Sequence, residues 1–263
     1  MMGDSLSSTL NFEVRGYDCG YGGPLGALAI ANFLQEAAGA SAEALGFGMS
    51  AMDARKWTWM LSRLDIRVDA LPREGDTVFV TTWPSETRKL FALRDFVMRT
   101  ADGRSLIRAV YAYLVVDLAA RKPLRPSSVF GDKPPASPEP HLVADFAFDI
   151  PAALESVPSF AQRVRARHID HNGHANNAHI ANWLVDAAAP EGASASAKDG
   201  GELAALRVEF LAEALEGDEL RATRGPAQGS ALPLGAGGSL TIAELFRDDV
   251  KVARALVGRR RRL

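Results

Sequence analysis

Hydrophobic and polar positions follow one order twice along this chain. An alanine-rich helical stretch comes first, then short runs of β-branched and aromatic residues. In the first block Gly22-Gly23-Pro24 precedes an apolar run from Leu25 to Leu45, closed by Gly46 and Gly48. Proline just inside a helix start and glycine past its end are the usual punctuation. Leu25, Leu28, Phe33 and Leu34 have alanines between them, so this helix is expected to be buried on most sides. Strands are predicted at Leu64–Val68, Thr77–Trp83, Phe91–Arg99 and Leu106–Val116, with turns at Gly75-Asp76 and Asp102-Gly103. In the second block Val164–Ile169 reads as a strand, and Asn172-Gly173 opens a helix from about Ala175 to Ala189. Strands follow near Leu206–Leu211, Glu219–Thr223, Ser239–Phe246 and Val250–Val257.

The two blocks are related. At a constant offset of 150, residues 14–38 and 164–188 share nine identical positions of 25. They include Val14-Arg15 with Val164-Arg165, and Ile30-Ala31-Asn32 with Ile180-Ala181-Asn182. We read two copies of one α+β unit, too long for a solenoid repeat. Joined edge to edge, the two units leave fewer open strand edges. Eight of the 14 prolines fall between Pro123 and Pro158, which marks an extended linker between the copies. The expected boundaries are residues 1–125, a linker at 126–155, and 156–263.

Composition narrows the class. The chain has 263 residues, 47% hydrophobic and 24% charged, which excludes disorder throughout. A net charge of −2 gives no pull toward nucleic acid, and no apolar run is long enough for a membrane span. The single cysteine, Cys19, fits a reducing compartment, and Met1–Leu10 lacks the pattern of a secretory signal. A cytoplasmic location is the expectation.

The chemistry concentrates in one segment. Four of the five histidines lie in His168-Ile-Asp170-His-Asn172-Gly-His174-Ala-Asn176-Asn177-Ala-His179. This segment leads into the second helix, where free backbone amides face whatever binds and can stabilise an oxyanion. In the first copy Gly20, Gly22 and Pro24 stand where Asp170, Asn172 and His174 stand in the second. That difference points to one active site per chain, in the second unit. Asp170 or Asn172 could instead cap the helix, and Asn176 or Asn177 could bond the backbone of its first turn. His168, His171 and His174 point different ways from a strand and turn, so no metal site is expected there. Nothing in the sequence requires a cofactor.

The segment Asp170-x-Asn172-x-His174-x-Asn176-Asn177, followed by Ile180-x-x-Trp183-Leu184, resembles the active-site motif of acyl-acyl-carrier-protein (acyl-ACP) thioesterases. Trp59-x-Leu61-Ser62-Arg63, Pro72-x-x-Gly75-Asp76, Thr82-Trp83, Arg94-Asp95-Phe96 and Val116-Asp117 are similar to that family too. The resemblance implies a tandem hotdog fold of class α+β, each unit a long helix wrapped by a curved antiparallel sheet. It implies hydrolysis of fatty acyl-ACP, with Asp170, Asn172, His174 and Glu213 as catalytic residues. Glu213 is placed on the strand after the helix. Plant members carry a cysteine directly after this glutamate; here it is Ala214, which favours a carboxylate-based mechanism.

Gly173, Asn176 and Trp183 are the expected substrate-binding residues. The base role falls to Glu213 with His174 as acid/base partner, Asn172 polarises the carbonyl, and Asp170 holds the cluster's geometry. Glu36 and Asp186 occupy matching places on the two helices and are read as structural. The partner is acyl carrier protein, met by a basic rim drawn from Arg163, Arg165, Arg167, Arg55, Lys56, Arg88 and Lys89. The acyl chain is expected in an apolar tunnel of the first unit, lined from the helix Leu25–Leu45. Monomer and homodimer both fit. The alternatives are an acyl-CoA thioesterase, an enoyl-thioester hydratase, or a fatty-acyl binding module without catalysis.

Overall fold

The computed structural model of this chain describes residues 6–20, 22–131, 149–190, 201–228, 234 and 238–261. Four of the linker prolines, Pro134, Pro135, Pro138 and Pro140, lie outside them. The strands, in chain order, are β1 (Ser8–Glu13), β2 (Trp57–Val68), β3 (Thr77–Arg88), β4 (Phe91–Arg99), β5 (Ser105–Asp117) and β6 (Lys122–Leu124). Then come β7 (Val157–Arg163), β8 (Glu202–Phe210), β9 (Glu219–Pro226), β10 (Ser239–Arg247) and β11 (Val250–Arg260). The helices are α1 (Ala27–Ala44), α2 (Met49–Ala54), α3 (Pro126–Phe130) and α4 (Asn177–Ala187).

Among the described residues these strands form one 11-stranded sheet in the order β1-β3-β4-β5-β2-β8-β11-β10-β9-β7, with β6 beside β5. The order is the same in each half, read outward from the centre. The halves meet at β2 and β8, which pair antiparallel from Arg63↔Glu209 to Arg67↔Ala205. Helix α1 packs on β1 and β3, α4 packs on β8 to β11, and the two helices touch each other. This is the tandem hotdog architecture.

The duplication extends to single hydrogen bonds. Gly20 N donates to Pro24 O and Gly23 N to Gly20 O before α1; Asp170 N donates to His174 O and Gly173 N to Asp170 O before α4. Gly23 and Gly173 both sit at positive φ, 86° and 81°, where a β-carbon is strained. The backbone of the loop is therefore common to both copies, and only its side chains differ.

The core follows from the apolar faces. Helix α1 buries Ala29, Ile30, Ala31, Leu34, Ala37, Ala38 and Ser41. Its opposite stripe, with Asn32, Glu36, Gly39 and Glu43, is exposed. The expectation of a helix buried on most sides is thus corrected: small alanines let the helix approach the sheet closely on one face, while Asn32, Glu36 and Glu43, at i, i+4 and i+11, keep the other open.

Charge is buried at the seam between the halves. Asp65 on β2 is fully buried and accepts from Arg67 Nη2 at 2.8 Å and from Arg207 Nε of β8 at 2.9 Å. Beside it, Glu209 accepts from Arg63 Nη2 and from Arg254 Nε, each at 2.8 Å. Burial pushes the Asp65 carboxyl up, against the pull of Arg67 and Arg207. Desolvation of the carboxylate therefore outweighs the attraction of the two guanidiniums.

Other boundaries differ from the sequence reading. The strand expected at Val164–Ile169 is Val157–Arg163, and Ala166–His168 forms a 3₁₀ turn. Strand β3 does not stop at Trp83 but continues to Arg88, accommodating Pro84 by a register shift between Pro84 and Glu86. Glu213 lies beyond the end of β8, in a loop rather than on the strand.

Candidate active site

Three pieces of chain build the candidate site: the loop before α4, the loop after β8, and the first unit. The loop before α4 is closed by the two backbone bonds above. Asp170 Oδ1 accepts from Asn172 N at 2.8 Å, folding the turn over itself. Asn176 Oδ1 accepts from Ala178 N at 2.8 Å and so caps α4. With Asn176 in that role, Asp170 and Asn172 are not engaged as helix caps.

The loop after β8 is pinned from several sides. Leu211 N and Ala212 N both donate to Val252 O, and Ala175 N donates to Ala214 O at 2.8 Å. Arg247 Nη1 donates to Glu213 O at 3.2 Å and to Asp218 Oδ2 at 2.9 Å. This anchoring brings the Glu213 side chain to the loop before α4, where its Oε2 lies 3.2 Å from His174 Nε2. A carboxylate beside an imidazole orients the ring and sets which nitrogen faces it.

A cavity of about 730 Å³ opens next to this loop. Its wall includes Asp170, Asn172 and Asn176 from the second unit, and otherwise comes mainly from α1, β2, β3, β4 and β5 of the first. Phe47, Trp59 and Phe130 form an aromatic side to it. The Phe47 and Phe130 ring centroids are 4.9 Å apart, those of Trp59 and Phe130 6.0 Å, and Trp59 Nε1 donates to Phe47 O at 2.9 Å.

The structure thus brings the predicted residues together in two pairs. Asp170 and Asn172 face the cavity; His174 and Glu213 face each other, outside the residues that line it. Gly173 sits at the turn between them and is not on the cavity wall. Asn176 reaches the wall while capping α4. Trp183 does not reach it: the side chain is buried, with its ring centroid 5.0 Å from that of His168 and 6.0 Å from that of His179. Burial lowers the pKa of both histidines. Among the described residues no three His, Cys, Asp or Glu side chains are grouped as metal ligands.

One polar partner has no signal in the sequence. Thr58 of β2 donates through Oγ1 to Asn172 Oδ1 at 3.2 Å, across 114 residues and from the other unit. With its oxygen held by Thr58, the Asn172 side-chain amide N–H groups have no hydrogen-bond partner among the described residues and remain available as donors. Glu36 and Asp186 also part company. Glu36 lies on the cavity wall, whereas Asp186 accepts from Asn182 Nδ2 at 2.9 Å and is pushed up by burial.

The chain is similar to known proteins in sequence and in fold. Residues 6–129 match the N-terminal domain of acyl-ACP thioesterases. An acyl-acyl-carrier-protein hydrolase of Cuphea viscosissima is 28% identical over 229 residues, covering 80% of this chain and 53% of the relative. A palmitoyl-acyl carrier protein thioesterase of Gossypium hirsutum is 28% identical over 226 residues, covering 80% and 52%. The chain therefore spans about half the length of the curated relatives it matches. Among solved structures, the 12:0-ACP thioesterase of Umbellularia californica superposes with a TM-score of 0.79 at 24% identity, over 98% of this chain and 95% of the other. An acyl-ACP thioesterase of Bacteroides thetaiotaomicron gives 0.78 at 22% identity, over 96% and 97%. The first unit thus matches the N-terminal domain of acyl-ACP thioesterases in sequence, relatives of that name align along most of the chain, and the tandem architecture is shared with solved structures.

Proposed function

We propose that this protein hydrolyses fatty acyl-ACP to free fatty acid and holo-carrier protein in the cytoplasm. The observation that carries the reading is the shared cavity: Asp170 and Asn172 of one unit open onto a chamber built mainly from the other. A hydrocarbon chain placed there gains about 0.8 kcal/mol per buried methylene. The thioester carbonyl then lies at Asn172, whose free amide group donates to the developing oxyanion. His174 and Glu213 act as one proton-transfer unit that draws a proton from water and returns it to the leaving thiol. Asp170, held by the Asn172 amide, keeps the turn in shape. A second reading makes Asp170 the base, and its place on the cavity wall favours that reading.

The test is thiol release from a panel of acyl-ACP and acyl-CoA esters. Hydrolysis with kcat/KM higher for the carrier-linked esters supports the proposal. Hydration of enoyl esters without thiol release would replace it with the hydratase reading, and binding without turnover with the silent-binder reading.

The carrier protein is acidic, and of the expected basic rim Arg55 and Lys56 are exposed and directly precede the strand that carries Thr58. Arg163 and Arg88 are already paired, with Glu219 at 3.2 Å and Glu86 at 2.7 Å. Raising salt is expected to lower kcat/KM for acyl-ACP more than for acyl-CoA, because long-range steering is screened. Equal salt sensitivity for the two substrates would remove steering from the account.

A further inference from the structure

The loop before α4 meets the first unit where the two halves of the sheet part. Strand β2 pairs with β5 from Trp57↔Asp117 onward, but with β8 only from Arg63 to Arg67. The stretch from Trp57 to Ser62 therefore has no strand on its β8 side among the described residues. There Thr58 Oγ1 donates to Asn172 Oδ1 at 3.2 Å. The backbone of Asn172 is already fixed: its N donates to Asp170 Oδ1 at 2.8 Å, and Gly173 follows at φ 81°. The side-chain amide is the loose part. It is exposed, and among the described residues Thr58 is its one hydrogen-bond partner. An amide that turns about its last torsion exchanges a donor end for an acceptor end at little cost.

We infer that Thr58 is a positioning residue for the proposed hydrolysis: its hydroxyl holds the Asn172 oxygen and so presents the Asn172 N–H groups to the thioester carbonyl. The inference rests on the thioesterase reading, in which Asn172 donates to the developing oxyanion. Released from Thr58, the amide spends part of its time with its oxygen toward the substrate, where it repels the negative charge that builds up. The loss is one of orientation and not of the donor itself. It is therefore smaller than the roughly 10²–10³-fold cost of removing an oxyanion donor, and matches one neutral hydrogen bond, roughly three- to tenfold. Because the charge develops only in the transition state, the loss falls on kcat and leaves KM in place. Thr58 is not on the cavity wall, so the ranking of acyl chain lengths stays as it is.

Steady-state kinetics of wild type, Thr58→Val, Thr58→Ser and Asn172→Ala on acyl-ACP esters of several chain lengths test this. Thr58→Val keeps a β-branched side chain in the strand and removes only the hydroxyl. It is expected to lower kcat roughly three- to tenfold, with KM and the chain-length ranking unchanged. Thr58→Ser keeps the hydroxyl and is expected to restore most of the turnover. In an Asn172→Ala background Thr58→Val is expected to cost nothing further, because the group it orients is gone. Wild-type kcat in Thr58→Val overturns the inference, since the hydroxyl then does not hold the amide by its oxygen. So does an equal loss with and without Asn172, which makes the effect one of general structure. A second measurement needs no turnover. The side-chain nitrogen–proton signals of Asn172 in two-dimensional NMR are identified by their absence in Asn172→Ala. They are expected to move toward the positions of a free amide in Thr58→Val and to stay in place in Thr58→Ser. If no ester is cleaved, the hydrolase reading fails while these signals still decide whether Thr58 holds Asn172; signals unmoved in Thr58→Val overturn the hold.

Discussion

Replacing His174 with alanine is expected to lower kcat by about 10²–10⁴-fold with the fold intact, the scale of a lost general acid or base. Glu213→Gln, which keeps the shape and removes the charge, is expected to cost nearly as much, because Glu213 Oε2 stands 3.2 Å from His174 Nε2 and acts through it. Groups that work as one unit do not add, so the double variant should be little worse than either single one. Steady-state kinetics on an acyl-ACP ester, with circular dichroism as the folding control, gives the answer. The competing assignment has a different signature. If Asp170 on the cavity wall is the base, Asp170→Asn removes nearly all turnover and Glu213→Gln leaves most of it. Near-normal kcat in the alanine variant takes the imidazole out of the chemistry altogether.

Asp65→Ala is expected to destabilise the protein by about 3–5 kcal/mol, the cost of leaving partners of a buried ion pair without their counter-charge. Arg67 and Arg207 both reach this carboxylate, and their side chains are only 19% and 13% exposed. Arg207 belongs to the other half of the sheet, so the loss falls on the β2–β8 seam. Urea unfolding reads it as a lower midpoint with an unchanged slope. A shift worth under about 1 kcal/mol would mean that water reaches the two guanidiniums once the carboxylate is gone.

The sequence was most legible where one face is buried and repeats. Apolar runs marked α1, α4 and most of the central strands to within a few residues, but β2 begins at Trp57, seven residues before the expected Leu64. Edge strands β1 and β7 were missed because each faces solvent along much of its length and carries few apolar residues. The polar stripe of α1 was in plain view at Asn32, Glu36 and Glu43, but the alanines between them read as a fully buried helix. The candidate site was half legible. Asp170, Asn172 and His174 share one short segment, and the first copy's Gly20, Gly22 and Pro24 set them off. Thr58 could not be found this way, because what places it at the cavity is strand pairing and a contact between units. The approach of Glu213 to His174 likewise depends on a loop held by Val252 and Arg247 rather than on the strand expected for it.

The seam at β2 and β8 puts reactivity and fit under separate control. Under the proposed function the reacting loop is a feature of one copy, while most of the cavity wall comes from the other. An engineer can therefore reshape residues along α1 and β4 to retune which acids are released, with the turn at Gly173 left as it is. In an assembly of two identical chains every such change would appear twice, once in each chamber and once beside each reacting turn. Carrying both copies on one polypeptide removes that coupling and lets each half be optimised for a single task.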